Sequence, residues 1–271
     1  GRGRCTTCRV RVTSSLNALP EPNQIEQKVI DRLNFDSSIR LGCQLRPKEN
    51  IEINPLINLV ESEKNNLLFS NQKNLSGMET ETVILFCDLR GFTKLSDNKL
   101  PFDVVFILNK YFKLVSEAVE SNQGRIDKFI GDGVMAIFDK SNTLSASCRN
   151  ALKAAAEISS GLDRLNDELY AEAIDTLRVG IGIHTGTAIL GKMGYGTASN
   201  ETAIGDTVNV ASRLEQLTKR YSCELIFSNA VALSAGLDLQ KLDSIKTEIR
   251  GKKDFLEAFY CKHAASALNA F

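Results

Sequence analysis

The sequence predicts an α+β fold in which helices cover a mixed sheet. Three observations point to it. Short, continuously apolar runs such as Thr82-Val83-Ile84-Leu85-Phe86-Cys87 read as buried strands, while a long Ala-rich stretch, 143–172, spaces its apolar residues helically. Strand and helix signals also mix without a regular βαβ repeat. The 271 residues are 43% hydrophobic and 24% charged, ordinary values for a chain that buries a real core. That length suits one large domain or two modest ones.

Along the chain, Arg9-Val10-Arg11-Val12 and Asn50-Ile51-Glu52-Ile53-Asn54 alternate as strands do, and 25–33 between them has helical spacing. The polar stretch 61–81, with its thin apolar stripe, reads as a linker that is helical in part. A second texture begins at Glu81 with the buried strand quoted above. Pro101 opens a helix whose Val104, Val105, Leu108, Phe112, Val115 and Val119 form one face, closing near Gly124. Residues 125–138 predict a hairpin folded at Gly131-Asp132-Gly133, since Asp-Gly is a strong turn signal. Then come the Ala-rich helix, a buried strand over 177–183, and a loop holding Gly186, Gly191, Gly194 and Gly196. A helix from Asp206 to Tyr221, a strand at 223–227 and a last strand at 255–261 complete the reading.

Charge and cysteine content exclude several function classes. Lys+Arg and Asp+Glu number 33 each, so the formal charge is zero and no basic face for duplex nucleic acid is implied. No apolar run approaches the roughly 18–20 residues of a membrane span. The first twelve residues carry four arginines and no apolar signal-peptide region, so a cytoplasmic location is expected; an anchor upstream of Gly1 would lie outside this sequence. Residues 1–60 hold nine basic and six acidic side chains and the remainder is slightly acidic, a mild hint of two units. The seven cysteines, at 5, 8, 43, 87, 148, 223 and 261, are odd in number and scattered. Without a secretory signal they read as thiols or metal ligands in a reducing compartment.

Three constellations carry chemistry. In Phe86-Cys87-Asp88-Leu89-Arg90-Gly91-Phe92-Thr93, an acid ends a buried strand and a Gly-containing turn leads into a helix, an arrangement that suits a Mg²⁺-bound phosphate. Strand-end acids also cap helices. Asp132 sits at the expected hairpin tip. If the two strands are neighbours, both carboxylates reach one pair of divalent ions, which would activate a hydroxyl and neutralise a leaving phosphate. A plain Asp-Gly turn is the simpler alternative. In Ile204-Gly205-Asp206-Thr207-Val208-Asn209-Val210-Ala211-Ser212-Arg213, Asp206 reads as an N-cap. Asn209 and Arg213 lie one helical turn apart, suited to a ribose oxygen and a phosphate or simply to a solvated face.

Together with Lys128-Phe129-Ile130-Gly131-Asp132-Gly133-Val134-Met135-Ala136 and Gly180-Ile181-Gly182-Ile183-His184-Thr185-Gly186, these blocks make residues 81–262 resemble the class III nucleotidyl cyclase catalytic domain. The resemblance implies a ferredoxin-like βαββαβ core and a head-to-tail homodimer with its sites at the interface. It implies two Mg²⁺ or Mn²⁺ ions on Asp88, Asp132 and the backbone carbonyl of Leu89. Gly91, Phe92 and Thr93 would hold the triphosphate, Lys252 would reach its β- and γ-phosphates, and Asn209 and Arg213 of the partner would serve ribose and phosphorus. Lys128 matches the position where adenylyl cyclases carry Lys and guanylyl cyclases Glu, and Thr202 its partner position. A lysine donates to adenine N1 and cannot accept from guanine N1–H, so ATP is the expected substrate and cyclic AMP the expected product. No side-chain general base stands out, and His184 reads as structural.

The N-terminal Cys5-Thr6-Thr7-Cys8 is by itself equally compatible with zinc or redox chemistry. With Cys43 it resembles the last three ligands of a [2Fe–2S] ferredoxin of partial β-grasp fold, the first ligand falling just before Gly1. An electron donor for the cluster is then the implied partner. Cys87, Cys148, Cys223 and Cys261 fall in apolar elements and read as core. The expected organisation is therefore a ferredoxin-like part at 1–60, a linker at 61–80, a cyclase domain at 81–262 and a tail at 263–271. The competing readings are a guanylate cyclase, or a redox or electron-transfer protein whose cyclase-like module does not catalyse.

Overall fold

In the computed structural model the described residues are 8–14, 19–56, 77–97, 99–139, 143–170, 176–194, 199–248 and 255–271. The chain divides into two compact units, Gly1–Lys73 and Asn74–Phe271. Most of the expected linker, Cys5, and the Arg250-Gly251-Lys252 block lie outside the described residues.

In the first unit, β1 (Arg9–Val12) is the centre of an antiparallel sheet between β2 (Ile39–Leu41) and β3 (Ile53–Pro55). Its alternation places Val10 and Val12 in a small core with Leu45, Leu19 and Ile51. Helix α1 (Gln24–Leu33) is capped by Asn23, whose side chain accepts from the Ile25 and Glu26 amides. Buried Glu26 then clamps the helix to β2. It takes both Nε (3.0 Å) and Nη2 (2.8 Å) of Arg40 and also the Leu41 amide at 2.7 Å. A buried ion pair needs such saturation of its lone pairs to offset desolvation.

The second unit is an eight-stranded mixed sheet covered on both faces. Its strands are β4 (Met78–Leu89), β5 (Arg125–Ile130), β6 (Gly133–Phe138), β7 (Val179–Met193), β8 (Asn200–Ile204), β9 (Leu225–Ser228), β10 (Asp243–Glu248) and β11 (Phe255–Cys261). They run in the order β10-β11-β9-β7-β4-β6-β5, with β8 on β7, and only the β7–β9 pairing is parallel. With α3 (Pro101–Ser121) and α4 (Leu144–Tyr170), the four strands β7-β4-β6-β5 trace the expected βαββαβ path. Strand β4 is buried on both faces, which is why it reads as a continuous apolar run. Val83, Leu85, Cys87 and Leu89 pack beneath α3 and α4, whereas Ile84 and Phe86 face α5 (Asp206–Tyr221).

Glycine lets α5 lie directly on the sheet. A Cβ on Gly182 would come within 2.2 Å of the Glu215 amide nitrogen and 2.4 Å of the Ala211 carbonyl. The same close approach explains the main departure from expectation. The Gly-rich stretch read as a loop from Gly186 is instead the second half of β7, paired with β8. Gly186 makes room for Thr207, and Gly191 for the backbone of Gly77. Residues 195–198, which include Gly196, are outside the described set.

Three smaller corrections follow from packing. The buried face of α3 is Ile107, Tyr111, Val115, Ala118 and Val119; Val105 is exposed. The Ile107–Tyr111–Val115–Val119 ladder keeps a strict four-residue step, and the expected Leu108 and Phe112 are half-buried against the same core. Asp206 is the first helical residue, with Gly205 at the N-cap. The expected tail is part of the core: a 3₁₀ helix over Ala264–Ala270 buries Ala264, Ala267 and Ala270. Glu224 pins it by accepting from the Ala264 amide at 2.9 Å. Helix α6 (Asn229–Ala235) and strands β2, β8 and β10 are elements beyond those expected from the sequence. No described helix is long and apolar enough to cross a membrane.

Candidate active site

The end of β4 and the tip of the β5–β6 hairpin meet because β4 and β6 are hydrogen-bonded neighbours, with Cys87 opposite Val134. Asp88 is the penultimate residue of β4, and Asp132 is in the hairpin turn between Gly131 (φ 64°) and Gly133. Gly133 leaves space for the acid, since a Cβ there would stand 3.3 Å from Asp88 Oδ1. Burial pushes the Asp88 carboxyl up to about 6, with the negative charges of Asp132 and Glu215 adding to it and Arg90 opposing. A half-buried acid whose ionisation is opposed by a neighbouring carboxylate forms a site suited to a cation.

Beyond Leu89 the chain turns through Gly91, whose φ of 72° favours glycine, into the short helix α2 (Phe92–Asp97). This turn and the two acids line a cavity of about 890 Å³. Leu89, Gly91, Phe92 and Thr93 are in its wall, joined by Arg178, Lys219 and Lys262. Carboxylates and cationic side chains around one cavity suit a metal-chelated polyphosphate.

Arg178 was missed from sequence, where it is a single basic residue before an apolar run. Strand pairing places it here: Leu89 lies opposite Val179, and the Arg90 amide donates to the Arg178 carbonyl at 2.7 Å. Arg90 itself ties β4 to α5, pairing with Glu215 at 2.8 Å and hydrogen-bonding Thr218. Burial raises the Glu215 pKa, and the Arg90 guanidinium offsets that. Gly180 is where the Arg90 side chain crosses, leaving no room for a Cβ.

Four of the sequence-predicted residues do not line this cavity. Lys128 and Thr202 converge elsewhere on a single carboxylate, Asp127. Thr202 Oγ1 donates to Asp127 Oδ2 at 2.7 Å, and Lys128 Nζ is 3.2 Å from the same oxygen. Asp127 was not singled out from sequence. Asn209 is exposed and Arg213 half-buried on successive turns of α5. Asp206 is exposed at the start of that helix.

His184 is buried, its Nδ1 2.8 Å from Ser228 Oγ, in keeping with the structural reading. Cys87, Cys148, Cys223 and Cys261 are all buried. Burial pushes the Cys87 thiol up to about 12, and Tyr111 donates to its sulfur at 3.2 Å. In the first unit Cys8 and Cys43 are half-buried on adjoining loops, where the Gly42 amide donates to the Cys8 carbonyl at 2.8 Å. Among the described residues no three His, Cys, Asp or Glu side chains gather as metal ligands, so the two acids of the second unit stand as a pair.

Residues 76–262 match the adenylate and guanylate cyclase catalytic domain. This chain belongs to that family. The cyclase domain is 37% identical over 188 residues to the adenylate cyclase of Anabaena cylindrica, covering 66% of this chain and 36% of that protein. Adenylate cyclase 1 of Rhizobium meliloti is 33% identical over 190 residues, covering 70% and 28%. The chain thus spans about a third of the length of the curated relatives it matches. Among solved structures, the guanylyl cyclase Cya2 aligns with a TM-score of 0.63 at 26% identity, over 69% of this chain and 93% of that one. The adenylyl cyclase CyaB from P. aeruginosa aligns at 0.62 and 25%, over 69% and 95%. These two structures align almost equally well, so the fold by itself does not decide base choice.

Proposed function

We propose that this cyclase domain converts ATP to 3′,5′-cyclic AMP and pyrophosphate. The observation that carries the reading is the meeting of Asp88 and Asp132 at the rim of a cavity that also holds Arg178, Lys219 and Lys262. Asp88, Asp132 and the Leu89 carbonyl would hold two Mg²⁺ or Mn²⁺ ions, which when bound lower the pKa of the attacking 3′-hydroxyl and neutralise the departing phosphates. Asp88, whose ionisation burial and the neighbouring Asp132 oppose, fits that group. Gly91, Phe92 and Thr93 form the turn against which the triphosphate lies. Arg178 and Lys262 compensate its charge within the same chain, and Lys252 is assigned the same task on resemblance alone. Positioning and charge neutralisation, with no side chain assigned as general base, would supply the acceleration.

A head-to-tail homodimer accounts for the residues absent from this cavity. Asn209 and Arg213, with Lys128 and Thr202, would complete the partner's site and orient ribose, phosphorus and base. Lys128 is a donor for adenine N1, and Thr202 an acceptor for its N6 amino group. The organisation that accompanies this reading keeps the cyclase domain expected at 81–262, extended to Met78 at its first strand and through the packed 263–271 segment, after the linker. Ahead of it would lie a β-grasp ferredoxin-like part at 1–60, served by an electron donor. Cys5, Cys8 and Cys43 would be three thiolates of a [2Fe–2S] cluster; the adjoining Cys8 and Cys43 loops fit two of them, and a cluster takes four.

The test is to incubate purified protein with ATP or GTP and Mg²⁺ or Mn²⁺ and to quantify both cyclic nucleotides. Cyclic AMP formed by the parent and lost in Asp88→Ala is the expected result. Cyclic GMP as the main product would replace the base assignment. Absence of either product would point to a module that binds nucleotide without turning it over.

A further inference from the structure

We propose that Asp127 is a positioning residue for base selection, which acts by fixing the Thr202 hydroxyl as an acceptor toward the nucleotide. The inference rests on the adenine-site reading of Lys128 and Thr202 given above and adds a residue to it.

The placement of Asp127 is unusual for a strand. Consecutive residues of a strand point to opposite faces, so Asp127 and Lys128 should not meet. The β5–β6 register breaks between Ile126 and Lys128, which leaves Asp127 as the extra residue of a β-bulge. The bulge turns both side chains to the same place. The Asp127 side chain has no solvent exposure, while that of Lys128 is 44% exposed. Thr202, on β8 opposite Gly191, is buried as well.

The hydrogen-bond inventory then constrains what can be read. A carboxylate only accepts, and a threonine hydroxyl has a single proton. At 2.7 Å from Asp127 Oδ2 that proton is committed, so every other group meeting Thr202 Oγ1 meets lone pairs. Lys128 gives one N–H toward the same carboxylate and keeps two, with no acceptor. The pair therefore presents an acceptor beside a donor. Adenine offers the complement, an N6 amino donor beside the N1 acceptor. Guanine in the same pose offers O6 against the threonine lone pairs and N1–H against the ammonium, two mismatches. A freely rotating Thr202 hydroxyl would turn and donate to O6, relieving one of them. By removing that rotation, Asp127 makes the pocket reject guanine as well as accept adenine.

The surroundings keep the carboxylate in place. Its Oδ1 faces Arg125 Nη1 at 3.8 Å, and Arg125 is in turn anchored to Asp139 at 3.1 Å through Nε. Among the described residues Oδ1 has no hydrogen-bond partner, so the strong bond of Asp127 is the one to Thr202.

The experiment measures affinities for 3′-deoxy-ATP and 3′-deoxy-GTP, which cannot cyclise, by calorimetry with Mn²⁺. The proteins are the parent chain, Asp127→Asn, Asp127→Ala, Thr202→Val and the double variant Asp127→Ala/Thr202→Val. The parent should prefer the adenine nucleotide, and Asp127→Ala should reduce that preference roughly tenfold, mainly by tighter guanine binding. In the Thr202→Val background the Asp127 substitution should leave the ratio unchanged. Asp127→Asn keeps the shape of the bulge and guards against unfolding; it should lose part of the preference. A parent without adenine preference overturns the proposal. So does a substitution that weakens both nucleotides equally, the result of a merely structural role. Cyclic AMP formation is scored separately. Turnover with an unchanged ratio in Asp127→Ala defeats this proposal alone, and a changed ratio in a protein without turnover defeats only the catalytic reading.

Discussion

Two carboxylate sites on the same sheet stand in opposite electrostatic conditions. At the cavity, Asp88 and Asp132 face each other, and burial with mutual repulsion lifts Asp88 to about 6. At the bulge, Asp127 is more deeply enclosed, yet it has Lys128, Arg125 and the Thr202 hydroxyl around it. The first arrangement leaves negative charge for something outside the chain to neutralise. The second has its charge compensated by the chain's own side chains and can only orient them. Burial alone therefore does not tell a reactive acid from an architectural one; the sign of its neighbours does.

The comparison is broken most severely by removing an acid from the open pair. Asp88→Ala or Asp132→Ala should lower cyclic AMP formation by about a thousandfold or more, because in the proposed mechanism charge neutralisation carries most of the acceleration. A residual rate within tenfold of the parent would remove these acids from the mechanism. Lys128→Met, which touches the compensated site, should be milder. Losing a charged hydrogen bond to the base should reduce kcat/KM for ATP by about 10–100-fold, seen chiefly in KM.

Complementation asks whether the two sites belong to one catalytic centre shared between copies. Asp88→Ala and Arg213→Ala should each be inactive alone. Mixed in equal amounts, they should recover about a quarter of the parental rate, since half the dimers pair one of each and hold one intact site. No recovery after subunit exchange would place both halves of the site within one chain.

The smallest effect concerns pH and stability. A carboxyl with a raised folded pKa binds its proton more tightly when folded. Its favourable contribution is full below about pH 4 and is lost as pH rises through about 6. In metal-free protein at pH 8, Asp88→Asn should therefore raise the melting temperature by about 2–4 °C, with the gain vanishing near pH 4. An equal gain at both pH values would mean that the charge on Asp88 is not the cause. For the same reason, saturation with Mn²⁺ should need more metal as pH falls below about 6.

Much of the second unit was legible because local signals and tertiary packing agree. The hairpin at 125–138 has its Asp-Gly turn, α5 spans the expected Asp206–Tyr221, and β11 the expected Phe255–Cys261. The misreadings share one cause. Gly186 and Gly191 look like loop residues, but they are places where another chain segment passes too close for a side chain. Of the expected face of α3, Val115 and Val119 are fully buried and Leu108 and Phe112 pack against the core, while the centre of the stripe runs through Ile107 and Tyr111 and Val105 is exposed. Residues 263–271 looked like a tail because alanines at 264, 267 and 270 declare a packing face only once α4 is beside them.

By itself the sequence determined which residues end strands, where the Gly-flanked turns fall and which acids stand at them, since turn chemistry and hydrophobic period are local properties. Tertiary structure decided which of those ends meet. Hydrogen-bonding β4 to β6 put Asp132 beside Asp88, and pairing β4 with β7 brought Arg178 to the same cavity. Folding β8 against the bulge of β5 committed the Thr202 proton to Asp127. Strand order and register are long-range pairings, and a one-residue bulge reverses the side-chain alternation that a sequence reading must assume.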